Sequence, residues 1–268
     1  MRDIKPKIKR QINEIGLLDT IGLISRRLYS GSLTWLNTRI LRLRWHFFQL
    51  RHKDYQSEVR FESYYNTAEE FMRLIFSQSK GQSFLEIGIG RMPNIKRLQL
   101  ISQNNMRYTG CDFKDVCSTH ERIIKKNKDI AFDKIRFLDN QVGTYSWTLF
   151  ELLRKDEKFD IIYLDGHHTF YIDCPALVLA HFLLRPGGVF LLDDIEWTLQ
   201  FMKKYLVTHI GEWNFYRKMY NFSQYDEDQQ SLPHVGMMAE TILLNRLGYS
   251  KIDEYSTPGW WALRKPFA

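Results

Sequence analysis

Cysteine is scarce: Cys111, Cys117 and Cys174 are the only three in 268 residues. Their spacing makes neither a disulfide framework nor a thiolate metal site and fits a reducing compartment, so a cytoplasmic location is predicted. No apolar run approaches the roughly 18–20 residues of a membrane span. The basic stretch Met1 to Arg10 is followed by Glu14, Asp19, Arg26 and Arg27, which leaves no clean apolar core for a signal peptide. Internal repeats and low-complexity tracts are absent, and so is an Asn/Asp-Pro-Pro-Tyr/Phe/Trp motif. What remains is an ordinary globular composition, 44% hydrophobic and 26% charged. It suits one domain, or one domain with an appendage.

The net charge of +7 is unevenly placed. Residues 1–60 hold 13 Lys+Arg against 5 Asp+Glu, whereas the rest holds 25 against 26. The basic character therefore belongs to an N-terminal extension over 1–60, and the body, 61–268, is slightly acidic. That asymmetry argues against nucleic acid as the partner. Within the extension, apolar positions predict helices over 12–29 and 33–51, and the second interleaves Arg39, Arg42, Arg44 and Arg51 with Trp35, Trp45, Phe47 and Phe48. Such a stripe packs on the main domain or on a second copy of the chain, giving a homo-oligomer. Alternatively, it lies on an anionic membrane surface as a peripheral contact.

The body alternates strands and helices. Strands are predicted over 83–87, 108–112, 135–139, 159–165 and 188–194, with helices over 62–78, 94–103, 118–128, 146–154 and 172–184. This rhythm predicts a parallel sheet covered on both faces, an α/β doubly wound fold. The rhythm then changes. A helix is predicted over 197–209, an irregular insertion or lid over 210–235, a helix over 237–247 closed by Gly248, and a final antiparallel pair at 250–255 and 260–264.

The stretch Ser83-Phe84-Leu85-Glu86-Ile87-Gly88-Ile89-Gly90 organises the rest. A strand that ends in Gly-x-Gly and turns into a helix lets backbone approach a nucleotide-like ligand where a Cβ would collide. Pro93 suits the first turn of the helix that follows. Acids close all five strands: Glu86, Asp112, Asp139, Asp165 and Asp193. In an open parallel sheet these ends share one edge, where ligands bind. A row of anions suits a ligand that is cationic, rich in hydroxyls, or accompanied by a metal.

On these residues the sequence resembles the class I S-adenosylmethionine-dependent methyltransferases over roughly 80–265. Glu86-Ile87-Gly88-Ile89-Gly90 is similar to their first motif, with Met92 where a third glycine would stand. Leu184-Arg185-Pro186-Gly187-Gly188 and the closing helix–Gly248–strand–Pro-Gly–strand are typical of the family. The resemblance implies a Rossmann-like, mostly parallel seven-stranded sheet and S-adenosylmethionine as cofactor. Glu86, Gly88 and Gly90 would sit at the cofactor, Asp112 on its ribose hydroxyls, and Asp139 with Asn140 near its adenine. Tyr163-Leu164-Asp165-Gly166-His167-His168 and Leu191-Leu192-Asp193-Asp194 resemble a narrower group, the metal-dependent small-molecule O-methyltransferases of the macrocin and cephalosporin type and, more distantly, catechol O-methyltransferase. That likeness implies Mg²⁺ on Asp165, Asp193 and Asp194. It also implies His168 as general base, where the catechol enzyme has a lysine, with His167 as the neighbouring candidate. The acceptor would be a hydroxyl of a small molecule or sugar. Trp147, Trp197, Trp213, Tyr216, Tyr220 and Tyr225 are candidates to stack on it. The alternatives are a metal-free methyltransferase acting on nitrogen or on a lipid-linked glycan, and an inactive methyltransferase fold used as a binding protein.

Overall fold

In a computed structural model, residues 58–79, 81–90, 92–140, 144–202 and 222–267 are described. The helices expected over 12–29 and 33–51 lie outside these residues, as do most of the helix expected over 197–209, Trp213, Tyr216 and Tyr220. No helix among the described residues is long and apolar enough to cross a membrane.

The alternating pattern folds as its periodicity dictates. Helix α1 (Glu58–Ser77) leads into β1 (Ser83–Ile87), α2 (Ile95–Gln103), β2 (Arg107–Phe113), α3 (Lys114–Ile124), β3 (Ile135–Asn140), α4 (Tyr145–Arg154), β4 (Phe159–Leu164), α5 (Phe170–Leu183) and β5 (Leu184–Leu192). Short helices α6 (Glu227–Ser231) and α7 (His234–Met238) follow. The second runs on into a π-helical stretch, Ala239–Leu244, and β6 (Ser250–Lys251) and β7 (Trp261–Arg264) close the chain. The seven strands lie in the order β3-β2-β1-β4-β5-β7-β6, parallel through β5, with β7 antiparallel to both its neighbours. The fold is α/β and doubly wound.

Alternation along each strand sends neighbouring side chains to opposite faces. Leu85, Ile87, Ile162, Leu164, Phe190 and Leu192 face one core with Leu149 and Leu152 of α4 and Ala176, Leu177 and Ala180 of α5. Phe84, Tyr108, Ile161, Tyr163 and Leu191 face the other, with Met72 and Phe76 of α1, Leu98 and Ile101 of α2, and Trp260. Burying both faces is what a parallel sheet requires.

Several boundaries differ from expectation. Helix α3 begins at Lys114, one turn before the expected 118, because Asp112 Oδ1 accepts the Phe113 N–H and the chain turns at once. Strand β5 begins at Leu184, four residues early. Leu184 pairs with Phe159 and Val189 with Ile161, so the Pro-Gly-Gly segment bulges out between them, with Gly187 at φ +71°. A Pro without an N–H is tolerated at such an irregularity. Pro93 stands just outside α2 rather than in its first turn. Asn94 is the cap, its Oδ1 accepting the Arg97 N–H at 3.1 Å. The end of the expected irregular insertion, 222–235, is a 3₁₀ turn at Phe222–Gln224 followed by α6 and the start of α7. Glu86, Asp112 and Asp139 are penultimate in their strands, whereas Asp165 and Asp193 are the first residues past theirs.

Candidate active site

The carboxyl ends of β1, β4 and β5 border a cleft of about 630 Å³. Ile89 and Gly90 line one side, Asp165, Asp193 and Asp194 the floor, and Trp197, Phe201 and Trp260 an apolar wall. The glycine turn is required by its surroundings. Gly88 has φ +83°, and a Cβ there would stand 1.9 Å from the Asp165 carbonyl oxygen. Gly90 has φ +66° with open space about it, so a ligand can approach the backbone there, while the Gly88 and Ile89 N–H groups are already held by the Cys111 carbonyl and Asp112 Oδ2. The Gly90 carbonyl accepts from His120 Nε2 at 2.9 Å, which ties the turn to α3.

Asp112 also holds this turn. Its Oδ2 accepts the Ile89 N–H at 3.0 Å and its Oδ1 the Phe113 N–H at 2.6 Å. Burial raises its pKa, and these backbone bonds pull it back. Asp139 lies beside Asp112 in the β2–β3 register and is exposed. Asn140 is buried. Its Oδ1 accepts from Thr148 Oγ1 at 2.8 Å, and its Nδ2 has no hydrogen-bond partner among the described residues. Such an orphaned buried donor fits a ligand acceptor.

Glu86 is differently employed. It pairs with the buried Arg97 guanidinium and accepts from Tyr108 OH at 2.7 Å. Arg97 also lies 3.8 Å from Glu69 and 5.0 Å over the Tyr163 ring. Burial opposes its charge, but Glu86, Tyr163, Glu69 and Asp165 more than offset that, and its pKa is raised. Glu86 therefore anchors α2 to β1 at the edge of the cleft.

The acids after β4 and β5 crowd together. Tyr163 OH donates to Asp193 Oδ2 at 2.5 Å and approaches Asp165 Oδ2 at 3.4 Å. Asp193 Oδ1 accepts the Asp194 N–H at 2.9 Å. His168 Nε2 lies 3.3 Å from Asp194 Oδ2 and 3.8 Å from Asp165 Oδ1, and one ligand atom each from Asp165, His168 and Asp194 falls within 4.8 Å of the others. Asp193 is turned toward Tyr163 and is not in that trio. Both His168 and Asp194 have left-handed backbone, φ +59° and +52°, which non-glycine residues adopt only where the surroundings hold them.

Desolvation and the Asp193 carboxylate push Asp165 upward against the pull of Arg97, and the Asp165 side chain keeps 37% of its surface open. Burial and then Asp193 and Asp165 push Asp194 upward as well. Burial, aided by His167, lowers His168 to about 3, so its imidazole is neutral near pH 7. Two carboxylates and a neutral imidazole with converging atoms, and a third carboxylate beside them, form a donor set that a divalent cation fits.

The sequence reading missed several residues here. Arg97, Tyr163, Glu69 and Trp260 line the cleft; Tyr163 lay inside the Tyr-Leu-Asp segment and Trp260 just past the closing Pro-Gly, whereas Arg97 and Glu69 lay in no motif. Of the expected stacking residues, Trp197 lines the cleft and packs on His168. Trp147 stands 67% exposed on α4 and outside the cleft lining. Tyr225 is buried, stacks on Tyr171 and accepts the Tyr171 N–H. It is a packing residue.

No family model matches the sequence, and no curated protein matches it. Solved structures similar to it include three methyltransferases. The O-methyltransferase from Bacillus cereus in complex with SAH is 14% identical, with 75% of this chain and 81% of that one covered at a TM-score of 0.48. TomG from Streptomyces achromogenes, an O-methyltransferase involved in tomaymycin synthesis and solved with SAM, is 13% identical over 75% and 79% at 0.46. MycE from the mycinamycin biosynthetic pathway, solved with Mg and SAH, is 17% identical over 74% and 48% at 0.44. Likenesses this distant assign no activity to this chain; its chemistry has to be argued from its own rim.

Proposed function

We propose that this chain is an S-adenosylmethionine-dependent methyltransferase that methylates a hydroxyl of a small molecule or sugar with the help of a divalent ion. The observation that carries the reading is the cleft in which Ile89 and Gly90 of the glycine turn meet Asp165, Asp193 and Asp194. The turn, Asp112 and Asn140 would hold the methyl donor. A carboxylate can accept from two adjacent ribose hydroxyls, and the Asn140 amide still has a donor to give. Asp165 and Asp194 would hold the ion, with Asp193 beside them.

Bound there, the donor supplies an electrophilic sulfonium methyl and the ion a Lewis acid that lowers the pKa of a hydroxyl. The residues of the chain do the rest. The cleft walls fix the acceptor oxygen in line with the donor, which converts an encounter into an intramolecular step. Trp197, Phe201 and Trp260 keep water from the acceptor's apolar face. His168, with Nε2 facing the acids, is the nearest candidate for the hydroxyl proton, and its pKa of about 3 makes it a weak base that needs a hydroxyl already acidified.

A second assignment of His168 is favoured by its 3.3 Å approach to Asp194. As third ligand, its imidazole would favour Mn²⁺ or Zn²⁺ over Mg²⁺. His168→Ala separates the two. If turnover is lost while Mn²⁺ binding stays, His168 is the base; if Mn²⁺ binding is lost, it is a ligand.

The purified protein is expected to bind S-adenosylmethionine by calorimetry and to lose turnover in excess chelator. Full turnover with the ion removed would discard the metal and leave the methyltransferase. Absence of donor binding would discard both.

A further inference from the structure

We propose that Asp173 is a positioning residue for His168: its buried carboxylate gathers residues 166–169 into the turn that aims the imidazole at Asp165 and Asp194. The inference rests on the methyltransferase reading of the rim, and its test is separable from that reading. Asp173 lies in the first turn of α5 and is fully buried. Its Oδ1 accepts the His167 N–H at 3.0 Å and its Oδ2 the Thr169 N–H at 3.1 Å, with the His168 N–H between them facing the same carboxyl. Three successive backbone N–H groups converging on one anion make a nest, a geometry that needs a left-handed residue in the run. His168, at φ +59°, is that residue.

The nest accounts for two features of the loop. Left-handed backbone at a non-glycine residue costs roughly 1–3 kcal/mol, and the hydrogen bonds from the His167 and Thr169 N–H groups on either side of it work against that cost. A Cβ at Gly166 would stand 2.4 Å from Asp173 Oδ1, so the residue after Asp165 must be glycine for the carboxylate to fit. Burial pushes the Asp173 carboxyl up to about 7, and the loop's own N–H groups pull it back toward the ionised form. The next two donors are capped from afar. Phe170 N–H goes to His234 Nδ1 at 3.1 Å and Tyr171 N–H to Tyr225 OH at 3.2 Å. The N–H groups of the first two residues of α5 are thereby paired. With Asp165 at one end of the loop and His168 at the other, the nest sets the distance between them.

Asp173→Asn keeps the shape but cannot ionise, and it turns an NH₂ toward a backbone N–H. The variant is expected to remain folded by circular dichroism and to bind S-adenosylmethionine within twofold of wild type. Its Mn²⁺ affinity should fall at least tenfold, and kcat should fall with the donor KM unchanged. In the metal-free protein, the ring ¹⁵N signals of His168 should shift. A folded Asp173→Asn protein with wild-type Mn²⁺ affinity and unshifted His168 signals overturns the proposal. Should that variant not fold, Gly166→Ala keeps the carboxylate but crowds it, and is read by the same two measurements. A wild type that binds neither donor nor Mn²⁺ discards the methyltransferase reading, and the metal-free His168 signals then judge Asp173 alone.

Discussion

The rim of the sheet has two halves that look alike in sequence and differ in chemistry. On the β1–β2 half, each buried acid already has its donors: Glu86 has Arg97 and Tyr108, and Asp112 has two backbone N–H groups. On the β4–β5 half, Asp165, Asp193 and Asp194 share one tyrosine hydroxyl, one N–H and a neutral histidine. The first half is satisfied and rigid, shaped to hold a ligand against a fixed turn. The second is a cluster of like charges that, among the described residues, Arg97 offsets only in part, and a cation or protons would neutralise the rest. An acid at the end of a strand therefore says where a group stands, and its partners say what it is for.

The largest expected effects come from breaking the satisfied half. Asp112→Ala frees the Ile89 N–H and removes the expected ribose acceptor. Calorimetry should show S-adenosylmethionine affinity reduced by more than a hundredfold, with Mn²⁺ binding kept. Glu86→Gln leaves the buried Arg97 without its nearest carboxylate, with Glu69 at 3.8 Å as the remaining ion pair, and should cost about 3 kcal/mol in denaturant unfolding. Adding Arg97→Met should recover part of that loss, because the cost lies in the under-compensated buried ion.

The crowded half should answer in the opposite sense. Asp194→Asn is expected to weaken Mn²⁺ binding at least tenfold and leave the donor affinity unchanged. Relief of repulsion in the metal-free protein should add about 1 kcal/mol, or roughly 2–4 °C in Tm for a domain of this size. A fall in Tm instead would mean the cluster is satisfied as it stands. Trp197→Ala should raise the acceptor KM about tenfold while sparing both donor and ion, since it alters only the apolar wall.

The smallest effect lies away from the rim. His181 bonds Tyr249 OH at 3.0 Å, and burial, helped by Lys265, lowers its pKa to about 4. The unfolded chain titrates near 6.5, so between those values it binds more protons than the folded one, and stability falls as pH drops from about 6.5 toward 4. His181→Gln should lessen the drop in Tm between pH 7 and pH 5 without touching donor or Mn²⁺ binding.

The contrast between the halves also shows what the chain makes legible. Strands and helices could be read because each apolar run has the length and period of a buried element. The acids could be read because a parallel sheet brings all its carboxyl ends to one edge. Arg97 could not be, because nothing local says that a helical arginine eleven residues past Glu86 will turn back into the core. Asp173 read as one more polar residue in a helix, since its partners are backbone groups that leave no trace in side-chain pattern. Tyr225 and His234 cap α5 across more than fifty residues, a pairing that only the folded chain reveals. The early start of β5 was hidden by Pro186 and Gly187, which punctuate a turn in most settings and here make a bulge.

The measurement that bears most directly on the division of the rim is a Mn²⁺ titration followed by electron paramagnetic resonance, on wild type, Asp112→Ala and Asp194→Asn side by side. The account predicts one bound ion per chain in wild type and in Asp112→Ala, and none at the same concentrations in Asp194→Asn. No bound ion in wild type, or equal loss in both variants, would contradict it.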